Sequence, residues 1–206
     1  MSGSVDGGQA ELGLRERGKA DKRARILAAA TRALADDGYD AMTMSRVARE
    51  AGVAEGTVFS YAATKAELLM MVTAERWAAA AREQADAEHS DARPEDAIRA
   101  VMAPVVAEAI ADPGNSAAIA RELLFGAEGP HRSEVLTIIG AAETAIAAHI
   151  VRLGASDDRA AIAARMIVSG VLLEANRTRR HTADADSLEA RVHEVVSITL
   201  AGALRG

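Results

Sequence analysis

The chain has 206 residues and a net charge of −6; half of it is hydrophobic, but only 2% is aromatic. The Ala- and Leu-rich, aromatic-poor mix favours helix and argues against a β-sandwich or barrel. With no cysteine, a disulfide framework and a thiolate metal site are excluded, and a reducing cytoplasm is the compartment that fits.

No apolar run reaches the ~20 residues of a membrane span, and the opening residues MSGSVDGGQAELG lack the apolar core of a secretory signal. The negative total argues against nucleic-acid affinity spread over the whole chain, but the charge is uneven. From Arg15 to Lys65, ten Lys or Arg stand against seven Asp or Glu; from Ala66 onward, fourteen stand against twenty-one. A basic segment on an acidic body is what a polyanion-binding head shows.

Residues 1–18 read as a disordered, basic-ended arm, Gly- and Ser-rich at first and without periodicity. Six cations fall within eleven positions at and beyond its end: Arg15, Arg17, Lys19, Lys22, Arg23 and Arg25. The first helix is expected from about Ala20 to Asp37, with Ile26, Leu27, Ala30, Leu34 and Ala35 on its apolar face and Gly38 as its stop. A second helix follows Thr43, a good N-cap, and turns Val47, Ala48 and Ala51 inward. Gly52 permits a tight turn, and Val53 and Val58 are the next apolar anchors. A small residue, a turn glycine and a locking valine at these spacings suit a helix-turn-helix.

Thr64-Lys65-Ala66-Glu67 is a capping box, opening a fourth helix that runs to about Ala87. Residues 88–93 read as a loop. Pro94 suits the first position of a fifth helix reaching about Asp112, with a kink or break at Pro104. Further helices are expected at about Ser116–Gly126, Arg132–Leu153, Asp157–Arg179 and Asp186–Leu204. The fold class is therefore all-α, with about nine helices and no strand. The chemistry of an enzyme is missing: there is no phosphate loop and no nucleophile–base motif, and the five histidines lack metal-ligand spacing. No metal and no cofactor are expected.

The stretch RILAAATRALADDGYDAMTMSRVAREAGVAEGTVFSYAATKAELL, roughly Arg25 to Leu69, resembles the TetR family of transcriptional regulators. Its most specific part is AGV followed by GT, Val58 and Phe59, then Tyr61 and T-K-x-E-L-L. The resemblance implies a helix-turn-helix DNA-binding domain at 19–64 and an effector-binding and dimerisation domain at 65–206. It implies a homodimer that binds a palindromic operator in double-stranded DNA through the helix 55–61, usually as a repressor, and is released by a small-molecule effector.

By position, Thr43, Ser45 and Arg46 correspond to contacts from the second helix. Glu55, Gly56, Thr57, Phe59, Ser60 and Tyr61 lie on the recognition helix, and Lys65 at the start of the fourth helix. Arg46 suits a guanine or a phosphate, while Glu55 suits either cytosine N4 or the helix dipole. The chain departs from the family at Ala54, where a hydroxyl cap is usual, and at Ala62, where an aromatic is usual. Helices four to seven are expected to enclose the effector pocket, with Met70, Trp77, Met102, Arg121, Phe125, Met166 and Glu174 as its residues. Ile162, Met166, Gly170 and Leu173 form one dimer stripe, and Leu188, Val192, Val195 and Thr199 another. A helical binding module with a vestigial head is the alternative from a different class.

Overall fold

The computed structural model describes residues 6–87, 93–177 and 185–205. Among these there are nine helices and no strand: α1 (Asp6–Ala41), α2 (Met44–Ala51), α3 (Glu55–Tyr61), α4 (Lys65–Ala87), α5 (Pro94–Ala111), α6 (Pro113–Phe125), α7 (Pro130–Arg152), α8 (Asp157–Arg177) and α9 (Ala185–Leu204). They form two compact units, Met1–Leu68 and Leu69–Gly206.

In the first unit, the buried face of α1 is Ile26, Ala29, Ala30, Ala33 and Leu34, an i, i+3, i+4, i+7, i+8 stripe. Leu27 is half-buried and Ala35 exposed, so the stripe is rotated slightly from the expected one. The helix also begins far earlier than about Ala20. Its backbone is helical from Asp6, even though Gly7, Gly8, Gly13 and Gly18 lie in this segment. The arm expected to be irregular is, from Asp6 onward, part of α1.

Gly38 breaks α1 at φ 74°, ψ 171°, a region open essentially to glycine alone. Thr43 caps α2 as expected, its Oγ1 accepting from the Arg46 N–H at 3.2 Å. Gly52 ends α2 in the left-handed conformation, φ 63° and ψ 42°. Arg25 Nη1 donates to the Ala51 carbonyl at 3.2 Å, so a side chain of α1 satisfies the end of α2. Thr64 Oγ1 accepts from the Glu67 N–H at 3.0 Å, which is the first half of the capping box.

In the second unit, α8 packs against α5, α6, α7 and α9. Its buried residues are Ala160, Ala163, Ala164, Ile167, Val168, Val171 and Ala175, and the many alanines let neighbouring helices come close. Ile98, Ile146, Ile150, Leu188 and Val196 complete this core. α6 starts three residues before the expected Ser116, because the Asp112 carboxylate accepts from the Asn115 N–H at 2.9 Å and Pro113 stands at the first helical position. Arg132 donates to the carbonyls of Glu122 and Leu123 at the end of α6, and Arg159 to those of Gly202 and Arg205 at the end of α9.

The assigned helix α5 runs through Pro104 where a kink or break was expected. Proline deprives the Ala100 carbonyl of its helical donor, and the Gln84 side-chain amide of α4 donates to that carbonyl instead. α7 is long and apolar enough to cross a membrane by length and composition alone, which the reading by contiguous apolar runs misses. Val135, Ile146 and Ile150 on it are buried within the second unit, while 22% of its apolar window is buried in all. Most of the loop expected at 88–93 lies outside the described residues, as does most of the connection between α8 and α9.

Candidate nucleic-acid interface and ligand cavity

α2 and α3 separate their residues by chemistry. Met44, Val47, Ala48 and Ala51 of α2 are buried, and so is Val58 of α3. The other side is open: Thr43, Ser45, Glu55, Gly56, Phe59 and Ser60 are exposed, with Thr57 half-buried. Phe59 is 46% exposed, an apolar ring presented to solvent on a helix of seven residues. Ser60 Oγ donates to the Thr57 carbonyl at 2.6 Å. α3 has no side-chain cap at Ala54, as the sequence suggests. The Thr57 N–H instead donates to the Ala54 carbonyl at 2.8 Å. Ala62 is buried, so the place where an aromatic is usual faces inward and is filled here by a methyl group.

Three expected contacts are engaged inside the unit. The Arg46 guanidinium meets Glu50 at 2.7 Å, Asp36 at 3.5 Å and also Asp37. Its hydrogen bond to Glu50 holds that carboxyl below the usual carboxylate range. Through these pairs Arg46 fastens α2 to the acidic end of α1. The Tyr61 hydroxyl donates to the Lys19 carbonyl at 2.9 Å, which commits its one proton to α1. Lys65 Nζ donates to the Asp40 carbonyl at 2.9 Å and lies 4.6 Å from the centre of the Tyr39 ring. One of its three N–H groups is thus used to hold the segment after Gly38.

The second unit contains a cavity of about 430 Å³. α4 contributes Trp77, Arg82 and Gln84, α5 contributes Met102, Pro104 and Val105, and the rest comes from α7 and α8. Of the expected pocket residues, Trp77 and Met102 line it. Met70 does not, being packed elsewhere at 1% exposure. Arg121 is exposed and Phe125 is 83% exposed, because α6 contributes nothing to this cavity and α8 takes its place. Met166 and Glu174 instead border a shallower depression between α8 and α9, where Glu174 pairs with Arg177 and Arg191 at 2.8 and 2.9 Å.

The family model described as "Bacterial regulatory proteins, tetR family" matches residues 26–71, the segment that forms this helix-turn-helix. The match places these residues, and not the rest of the chain, with the TetR family's helix-turn-helix segment. Solved TetR-like structures share its fold. A TetR transcriptional regulator from Rhodococcus sp. RHA1 superposes with a TM-score of 0.70 at 18% identity, over 89% of this chain and 97% of that one. Thermus thermophilus FadR, a repressor solved with lauroyl-CoA, gives 0.64 at 20% identity, over 89% and 94%. Bacillus subtilis FadR, solved with stearoyl-CoA, gives 0.60 at 18%, over 86% and 97%.

The residues expected at a dimer interface divide. Ile162, Met166 and Leu173 are exposed on α8, and Ile198 of α9, which the sequence reading omits, is exposed as well. Val195 and Thr199 are half-buried. Leu188 and Val192 are buried in the chain's own core, so they are not available to a partner. Gly170 faces inward too: a Cβ there would lie 2.8 Å from Val195 Cγ1, so the glycine serves the approach of α8 to α9 within one chain. The stripe reading merges two faces of α9 because apolar residues occupy both, and periodicity alone does not tell an inner face from an outer one.

Proposed function

We propose that this chain is a ligand-responsive, dimeric transcriptional repressor acting on double-stranded DNA in the cytoplasm, with no catalytic step. The observation that carries the reading is the one-sided exposure of Thr43, Ser45, Glu55, Phe59 and Ser60 over a buried Val47–Val58 lock. A short helix held this way presents its outer side chains to the base edges of a major groove. Two copies related by a two-fold axis read a palindromic operator. The exposed apolar groups of α8 and α9 support pairing of copies through that face.

The effector occupies the cavity lined by Trp77 and Met102. An acyl thioester of the kind held by the two FadR proteins is one compatible chemistry. The effector selects a conformer whose recognition helices are mis-spaced for successive grooves. By linkage, effector weakens DNA binding by the same factor as DNA weakens effector binding. The test is a gel-shift titration with DNA from upstream of the chain's own gene, repeated across salt concentrations. A sequence-selective, salt-sensitive shift is expected; a shift of equal strength on unrelated DNA refutes the operator reading.

A further inference from the structure

Resting on the reading of the first unit as a DNA-binding head, we infer that Lys19 and Lys22 form a phosphate-binding site for double-stranded DNA. They lie on α1 ahead of the helix-turn-helix and supply affinity without reading sequence. The segment matched by the family model, residues 26–71, carries four Lys or Arg against six Asp or Glu. It offers no net attraction to a duplex that bears one negative charge per ~1.7 Å of its axis. Residues 15–25, outside that match, carry six Lys or Arg against two acids, Glu16 and Asp21. The positive charge that a polyanion requires therefore stands ahead of the reading helices.

Helical register selects two of these cations. Lys19 and Lys22 precede Ile26 by seven and four positions, so they continue the stripe of α1 that is buried from Ile26 onward. Arg17 precedes Ile26 by nine positions, which puts it on the opposite side. The face that packs within the unit at Ile26 and beyond is thus basic and exposed at Lys19 and Lys22. Tyr61, the last residue of α3, donates its hydroxyl to the Lys19 carbonyl at 2.9 Å. That bond fixes the root of Lys19 beside the end of the recognition helix. Neither lysine makes an ion pair among the described residues, whereas Arg25 lies 3.1 Å from Asp21 and donates to the Ala51 carbonyl. A helix is ~10 Å across and does not enter a minor groove ~6 Å wide. Lysine, a point charge on a flexible stem, suits the phosphates flanking the groove that α3 reads.

Fluorescence anisotropy with the full chain measures binding to two labelled duplexes of equal length, one from upstream of the chain's own gene and one of unrelated sequence. Each is titrated across salt concentrations of about 50 to 200 mM. Lys19→Gln/Lys22→Gln is expected to weaken both duplexes by the same factor, on the order of tenfold or more at low salt. It should reduce the slope of log affinity against log salt by about two per subunit and leave the preference between the duplexes unchanged. Arg17→Gln, on the opposite side, is expected to change that slope by well under about one. Lys19→Arg/Lys22→Arg keeps the charge and is expected to bind as the wild type does. Because both lysines are exposed, all three variants are expected to keep the wild-type melting temperature.

Wild-type affinity and an unchanged slope in Lys19→Gln/Lys22→Gln overturn the inference and leave the operator reading intact. If that variant loses its preference for the upstream duplex while binding the unrelated one equally well, the lysines read bases and the phosphate role is overturned. A loss in Arg17→Gln as large as that of the double variant overturns the assignment to this face of α1. If the wild type binds neither duplex, the DNA-binding reading fails and this inference with it.

Discussion

Two glycines in the first unit carry different kinds of backbone strain, and replacing each of them gives a graded prediction. A Cβ at Gly38 would meet nothing within 4 Å, and one at Gly52 would meet only Arg25 Nη1 at an ordinary 3.6 Å. Crowding therefore contributes little at either position, and the cost of a side chain is that of the backbone conformation. Gly52 is left-handed helical (φ 63°, ψ 42°), where alanine costs about 1–2 kcal/mol and asparagine much less. Stiffening of the unfolded chain by alanine returns about 0.4–1 kcal/mol. Gly52→Ala should therefore lose about 1 kcal/mol and Gly52→Asn close to nothing.

Gly38 (φ 74°, ψ 171°) lies where asparagine has no advantage, and the strain reaches about 3 kcal/mol. Gly38→Ala and Gly38→Asn should both lose about 2 kcal/mol. In a chain of this length, each kcal/mol lowers the melting temperature by about 2–4 °C. Thermal melts followed by far-UV circular dichroism, with hydrogen exchange over residues 44–61, measure the series. If Gly38→Ala is no worse than Gly52→Ala, or if asparagine rescues position 38 as well as 52, the reasoning from backbone strain is wrong.

The other predictions concern single side chains. Phe59→Ala should leave the melting temperature nearly unchanged, since an exposed side chain is worth within about 0.5 kcal/mol of stability, yet weaken operator binding about tenfold; equal binding in an anisotropy titration counts against Phe59 as a groove contact. Gly170→Ala should destabilise the wild type, because the new methyl meets Val195, but should stabilise a Val195→Ala background, where only the helix propensity of alanine remains. Chemical denaturation of the four proteins decides whether the sign reverses.

Glu108 gives a pH prediction. Burial raises its pKa above the ordinary 4.5, against the opposing pull of Arg76 at 2.7 Å. The folded state then holds the proton more tightly than the unfolded state, so stability falls as pH rises from 4.5 through the folded value and levels off above it. The difference between wild type and Glu108→Gln, measured by denaturation across that window, should show this fall; a flat difference curve refutes it.

The sequence by itself determined the all-helical fold, the α2 cap at Thr43 and the turn at Gly52. These depend on neighbours a few residues apart, and local hydrogen bonding and glycine's left-handed freedom express them in one short stretch of chain. Tertiary structure decided what long side chains reach. Arg46 and Arg25 both read as free cations in sequence. One is held by carboxylates of α1 and α2, and the other caps the end of α2 from α1. The same holds for the cavity. Trp77 and Met102 were legible as large apolar residues at helical spacing, but Phe125 and Met166 have that signature too and point into solvent. Helical periodicity gives each residue an angle around its own axis. Which neighbour lies at that angle is set by how α4, α5, α7 and α8 pack around the cavity.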